Sequence, residues 1–415
     1  MQKITRRRAL EMARTVGLTA TTSGLVACSS GGGGGSGSGN TGAGGSTNPP
    51  AGGGASNPAR VIVVGAGPAG MTAAHQLRQI GLDVAVFEAA PSHGGRIRHN
   101  TSFTDFPIAL GGEWLHVGPE ILDEIVNDST VSIATPTVGY QSSDTYGHFD
   151  GTEYTEESLG NSVSDLVFVE GSWLEFFERL ILPGIADAIT YNAPVTVLDS
   201  RGDGVAVHLQ DGRIEQADHV VMTAPLQMLK NETIEFLPRL SNDALQTIDE
   251  ARVWTGFKAF FEFDEAFYPT FLDFPDANND AGQRTYYNAA HGRNTSANIL
   301  GLFSVGEQAQ QYQSLTAAQL RDRVLSELDV VFNGRASSTY VRHISQNWQA
   351  QPFVESAYLA DVARNSTSRA LAAASTNKVL FAGEAYTREF DWGSVHAAAR
   401  SARAAVEEIQ ALVGA

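Results

Sequence analysis

The sequence predicts an α/β fold in which a Rossmann-like nucleotide-binding sheet shares the chain with a second, mixed sheet-and-helix region. Three observations carry the prediction. An apolar strand runs into a glycine turn and a helix within residues 60–80. A second apolar run, Val84–Phe87, ends on the carboxylate Glu88. Near the other terminus, Val379-Leu380-Phe381 closes on Gly383-Glu384 before a final helix. At 415 residues with 42% apolar content, the chain is long enough for two domains or two interleaved halves with a sizeable core.

The first element is an address rather than part of the fold. Arg6-Arg7-Arg8 precede a mildly apolar run, Val16–Ala27, too short and too polar to span a bilayer. The pattern resembles a bacterial twin-arginine export signal, and Leu25-Val26-Ala27-Cys28 resembles a lipoprotein processing box in which Cys28 takes the lipid. That implies an exported lipoprotein on the periplasmic or cell-surface side of a membrane, held by its lipid alone and exported folded with its cofactor loaded. Residues 29–57 are mostly Gly, Ser, Asn, Thr, Ala and Pro, a tether reaching roughly 30 Å as a flexible coil.

Removing residues 1–27 takes away five basic residues and one acid, which deepens the net charge from −18 to −22. Such a surface argues against nucleic acid as partner and favours cationic substrates at low ionic strength. Cys28 is the single cysteine, which excludes an internal disulfide, a zinc–thiolate cluster and a cysteine-ligated iron–sulfur site; no metal site is expected.

The second element is the strand–turn–helix unit. Arg60–Val64 leads into Gly65-Ala66-Gly67-Pro68-Ala69-Gly70, and Met71–Ile80 has helical apolar spacing, the context a G-x-G-x-x-G motif requires. Gly65 allows the tight turn, Gly67 lets backbone approach a pyrophosphate, and Gly70 lets helix and strand pack closely, so that phosphate charge meets a helix N-terminus. Glu88, eighteen residues beyond Gly70, stands where a carboxylate accepts from both hydroxyls of an adenosine ribose.

Gly94-Gly95-Arg96 follows, and this sequence after the ribose carboxylate is similar to the FAD-dependent amine oxidases, a likeness extending over most of residues 58–415. The resemblance implies noncovalent FAD, since no cysteine follows Cys28, with Gly95 and Arg96 along its pyrophosphate. Gly111-Gly112-Glu113-Trp114-Leu115-His116 resembles the segment passing close to the flavin (Gly112, Glu113 and Trp114), with a Trp-aliphatic-His ending like that of polyamine oxidases. His116 then either faces substrate or is a satisfied loop histidine. Pro194–Val197, Asp211-Gly212 and Ala217–Pro225 resemble the central hairpin and its return, with the Val195 backbone meeting the adenine. Lys258, in the strand Gly256–Phe263, matches a lysine hydrogen-bonded through water to flavin N5. Glu384 matches the residue holding the ribityl chain, and Ser394 and Val395 open the final helix towards the pyrimidine edge.

The resemblance further implies an FAD-binding domain of the GR2 type assembled from residues 58–118, 167–230 and 375–415. A substrate region of 119–166 and 231–374 lies between, after an export signal (1–27) and tether (28–57). Some positions depart from the family. The stretch after His116 is about fifty residues, shorter than the helical insertion of larger relatives. Trp348, Pro352 and Tyr358 resemble one wall of an aromatic cage, but Ser394 stands where monoamine oxidases place its second aromatic; Trp392 either substitutes or packs in the core. Ala397 replaces the usual glycine of the last helix.

The implied activity is oxidation of the C–N bond of a primary amine or polyamine by hydride transfer to flavin N5, giving an imine that hydrolyses. Lys258 orients water, and oxygen or an exported carrier accepts the electrons. No arginine stands beside Gly111–His116 to take a substrate carboxylate, which tilts the choice from amino acids to amines. Two alternatives stay open at this point: a same-fold flavoenzyme acting on another C–H bond (desaturase, protoporphyrinogen-type oxidase or isomerase), and a non-catalytic, lipid-tethered flavoprotein.

Overall fold

The structure is a computed structural model describing residues 58–414 apart from 162, 276, 277, 280, 361–365 and 389–390. Arg6–Arg8, Cys28 and the tether lie outside the described residues. Among those described, no helix is long and apolar enough to cross a membrane.

Strand Arg60–Val64 is the centre of a five-stranded parallel sheet in the spatial order 379–381, 219–222, 60–64, 83–87, 189–190. A parallel strand covered on both faces must be apolar at every position, and Val61-Ile62-Val63-Val64 is buried throughout. On one face pack the helices Pro68–Gln79 and Val395–Val413. Ala69, Ala73 and Ala74 on the first and Ala398, Ala402 and Ala405 on the second keep side chains short where the two meet, so their backbones approach closely. The second helix is capped at both ends. The Ser394 hydroxyl accepts from the Ala397 N–H at 3.1 Å, and Gly414 ends it in the left-handed region.

The other face carries a four-stranded sheet in the order 214–217, 205–209, 195–199, 235–237. The Asp211-Gly212 turn closes the hairpin between Val205–Leu209 and Ile214–Ala217, while Val195–Asp199 pairs on the outer side of Val205–Leu209. The central hairpin is therefore a three-stranded meander rather than one strand either side of the turn. His219–Met222 then returns to the parallel sheet.

The remaining region is an eight-stranded sheet whose main path runs 340–347, 256–263, 298–306, 282–288, 271–273, 145–149, 154–158, with 278–279 pairing off 282–288. Alternation along these strands separates two faces. Phe257, Ala259, Phe261, Leu272, Tyr286 and Leu302 pack under the helices Glu307–Gln313 and Ala317–Phe332, and the intervening residues turn towards the parallel sheet. The short stretch after His116 supplies the last two strands of this sheet, so it extends the floor of the region instead of forming a separate helical wall.

Candidate active site

A cavity of about 810 Å³ lies between the two sheets. Among the described residues, it is lined by every candidate catalytic, cofactor and substrate residue named from the sequence except Gly70. Gly70 instead does the packing its spacing suggests: a Cβ there would come 1.9 Å from the Gly65 carbonyl oxygen. Gly65 itself takes φ +102°, a conformation open to glycine, so the chain can reverse from strand to helix at that point.

Glu88 ends its strand with both carboxylate oxygens anchored. The N–H groups of Ala66 and Ala90 donate to them at 2.6 and 2.8 Å. Burial pushes this carboxyl above the usual carboxylate range, and those two amides oppose it. Arg96 donates to the carbonyl of Ala357 at 2.5 Å and to Glu384 at 2.8 Å, which ties the first nucleotide-binding segment to the last. Two donors along the cavity wall, Arg98 Nε and Trp254 Nε1, are buried with no hydrogen-bond partner. Backbone donors at a glycine turn, a carboxylate at the second strand end, two arginines and a capped helix N-terminus fit the acceptor-rich FAD expected there. Val195 contributes from the strand end on the far side.

The opposite wall differs from the sequence reading at Lys258. Its ammonium is 3% exposed and donates to Glu113 Oε2 at 2.6 Å, the Ala109 carbonyl at 3.0 Å and the Gly111 carbonyl at 3.1 Å. All three protons thus have protein acceptors, which leaves none for a bridging water, because a cation this deeply buried is costly unless its donors are met. Burial holds Lys258 below its ordinary value, against the pull of Glu113. Glu113 is correspondingly turned to the sheet, where it also accepts from the Tyr287 hydroxyl at 2.5 Å; its side chain is spent there, and its backbone is what it offers a cofactor. Trp114 completes this cluster, 4.8 Å from the Tyr287 ring and 5.1 Å from Lys258 Nζ, with its indole N–H donating to the Tyr140 hydroxyl at 2.9 Å.

His116 reaches the cavity and pairs with Asp165, Nδ1 to Oδ1 at 3.0 Å. With Nδ1 donating to the carboxylate, Nε2 is the acceptor. Behind it, the His396 ring lies 6.0 Å away and edge-on, with Nε2 3.2 Å from Asp391 and 3.1 Å from the Ser394 hydroxyl. Tyr358 and Trp392 both line the cavity, Tyr358 packed edge-on to Trp254 at 5.5 Å. Trp392 also packs against the core beneath the parallel sheet, the second of the two placements open to it. Trp348 is buried, its indole N–H donating to the Leu110 carbonyl at 2.9 Å, and Pro352 lines the cavity beyond it. Ser394 is the cap of the closing helix rather than a cage member.

Sequence reasoning missed Trp254, Asp165, Tyr146, Asp273 and Tyr287, which also bear on this site. Period-two alternation in Gly282–Asn288 marks Tyr287 as a face residue, but only strand pairing puts it beside Glu113. Among the described residues, no group of three or more His, Cys, Asp or Glu could hold a metal ion.

Among known protein families, the one described as flavin containing amine oxidoreductase matches residues 185–410, and the NAD(P)-binding Rossmann-like domain matches residues 63–128. The chain is 24% identical over 416 residues to lysine-specific histone demethylase 1B of Mus musculus, covering 80% of this chain and 50% of that protein. It is 25% identical over 437 residues to polyamine oxidase 4 of Oryza sativa subsp. japonica, covering 85% and 89%. It thus spans about half the length of the demethylase. Among solved structures, putrescine oxidase bound to putrescine superposes with a TM-score of 0.68 at 16% identity, covering 85% of this chain and 99% of that one, a likeness of fold.

Proposed function

The chain belongs to the flavin-containing amine oxidoreductases, with FAD as cofactor, and from that premise we propose that it oxidises the C–N bond of a primary amine or polyamine. One observation carries the reading: the glycine turn, the Lys258–Glu113 pair, the His116–Asp165 pair and the closing helix N-terminus all line one cavity.

The Gly65–Gly70 turn, Arg96, Glu88, Val195, Glu384 and the Ser394–Val395 helix start would hold FAD without a covalent bond. When bound, FAD supplies the two-electron acceptor that takes the α-carbon hydride at N5. An alkylamine arrives at neutral pH as ammonium, since its pKa lies near that of lysine. His116 accepts that proton at Nε2, and Asp165 steadies the imidazolium through Nδ1. Lys258 acts as a positioning residue: its three hydrogen bonds fix the turn from Ala109 to Glu113 against the sheet. Tyr358, Trp254 and Trp392 exclude bulk water and present aromatic faces to a cationic substrate. Among the described residues, the arginines lining the cavity, Arg96 and Arg98, stand on the nucleotide side, away from where a substrate carboxylate would lie. The product imine hydrolyses, and the electrons pass on to oxygen or an exported carrier. The twin-arginine stretch and Cys28 support an exported, lipid-anchored location.

The test is anaerobic titration of the yellow holoprotein with a panel of amines. Bleaching by a primary amine or polyamine is expected. A colourless, flavin-free product from a flavin-replete host, or a yellow protein that no amine bleaches, overturns the reading.

A further inference from the structure

Lys258 and Glu113 form a closed pair. Their side chains are 4% and 9% exposed, Nζ lies 2.6 Å from Oε2, and the remaining ammonium protons go to the Ala109 and Gly111 carbonyls. The Tyr287 hydroxyl donates to the same carboxylate, with its ring 5.5 Å from Nζ. Arg293, whose charge also acts on Glu113, is turned to the Gly171 carbonyl and the Phe106 ring.

The turn that accepts from Lys258 abuts the closing helix. A Cβ on Gly112 would lie 2.9 Å from Val395 Cγ2, so the pair sits just behind the backbone that meets the helix start, where the reactive end of FAD is expected. A lone cation there would favour any negative charge building beside the ring. Opposite charges 2.6 Å apart instead cancel most of each other's field at larger distances.

The acceptors open to reduced FAD ask different things of that field. Dioxygen takes its first electron as superoxide, an anion formed beside the ring, and a fixed cation lowers that barrier. A quinone is a neutral, planar molecule, which suits a cavity walled by Trp254, Tyr358 and Trp392.

We propose that Glu113 masks the charge of Lys258, so that reduced FAD is poorly reactive with dioxygen and gives its electrons to a quinone that enters the cavity. Reduced anionic FAD, a quinone and one proton from solvent yield oxidised FAD and quinol. The matching reaction with dioxygen, which yields hydrogen peroxide, is the one suppressed. This rests on FAD as cofactor and names the electron acceptor for the function proposed above, whichever amine supplies the electrons.

The holoprotein is reduced by light and a deazaflavin, without any amine, and mixed with dioxygen, a water-soluble benzoquinone or cytochrome c. In the wild type, dioxygen reoxidises the flavin at most about tenfold faster than it does free reduced FAD measured alongside, and the quinone rate saturates with concentration. Sulfite, an anion that adds to oxidised flavin, reads the same field with no turnover. Glu113→Gln, measured at about pH 6 to keep Lys258 charged, tightens sulfite binding and speeds reoxidation by dioxygen, each by about tenfold or more. Both gains fade as pH rises and the lysine loses its proton. The double variant Lys258→Met/Glu113→Gln, neutral like the native pair, shows neither gain. Wild-type reoxidation by dioxygen well beyond about tenfold over free FAD overturns the masking, and decides it even if Glu113→Gln fails to fold. So does a folded Glu113→Gln protein with wild-type sulfite affinity from about pH 5.5 to 8.5. A quinone rate that never saturates, or that cytochrome c exceeds, overturns the quinone assignment. Since no amine is used, each result is independent of the amine titration above.

Discussion

The parallel sheet and the eight-stranded sheet form opposite walls of the same cavity, yet they are built on different principles. The parallel sheet presents mostly backbone: the turn at Gly65–Gly70, the N–H groups that hold Glu88, and the capped start of the closing helix. The eight-stranded sheet presents side chains, Lys258, Phe303, Thr285 and Asp273, placed by register across separate strands. Backbone recognition needs particular residues at fixed local spacings. Side-chain recognition needs strand pairing, and any one of its residues looks ordinary in isolation.

The contrast is tested most severely on the backbone side. Gly70→Val drives carbon atoms into the Gly65 carbonyl, where the space for a Cβ is 1.9 Å, and the turn cannot relax without opening the strand end. The purified variant is expected to carry no flavin absorbance; retention of a full complement of FAD would break the comparison.

On the side-chain side, Lys258→Met leaves Glu113 buried without its cation and is expected to destabilise the fold by about 3–5 kcal/mol. The double variant Lys258→Met/Glu113→Gln should recover a large part of that loss, since no uncompensated charge remains. Denaturant midpoints read both. Equal stability of wild type and Lys258→Met would return the lysine to a role other than positioning.

A smaller effect separates the base from its support. His116→Gln should lower kcat/KM for amines by about 10²–10⁴-fold, whereas Asp165→Asn, which leaves the imidazole in place, should cost on the order of tenfold. Partial rescue by Asp165→Glu distinguishes positioning from a purely structural role.

The smallest effect is in pH. His396 is 1% exposed, and burial lowers its pKa in the fold despite Asp391. The unfolded chain then binds a proton that the folded chain does not as pH falls through about 6.5, so this histidine contributes a loss of stability on the acid side of that value. Unfolding free energies measured from pH 8 to pH 5 should fall less steeply in His396→Gln than in the wild type.

Much of the nucleotide wall is legible in the amino-acid sequence. The motif Gly65–Gly70 and the carboxylate at Glu88 identify themselves by type and spacing, and the closing helix opening at Ser394 and Val395 is what the resemblance implies. The resemblance carries Arg96, Glu384 and Lys258 as well. It does not foresee that Lys258 is met by Glu113 and two carbonyls, because the partner lies 145 residues away and is brought in by a turn crossing the sheet. Asp165, Tyr146 and Asp273 leave no local mark, being single polar residues in short strands or loops.

By itself, then, the amino-acid order determined where the backbone must turn, which runs must be covered on both faces, and that a helix N-terminus would open off the glycine turn. These are consequences of steric and hydrogen-bonding rules acting over a few residues. Only the tertiary structure decided which side chains share the cavity face and how far apart they stand. Strand register is a pairing between distant segments, and a slip of one residue would send Lys258 and Asp273 to the opposite face.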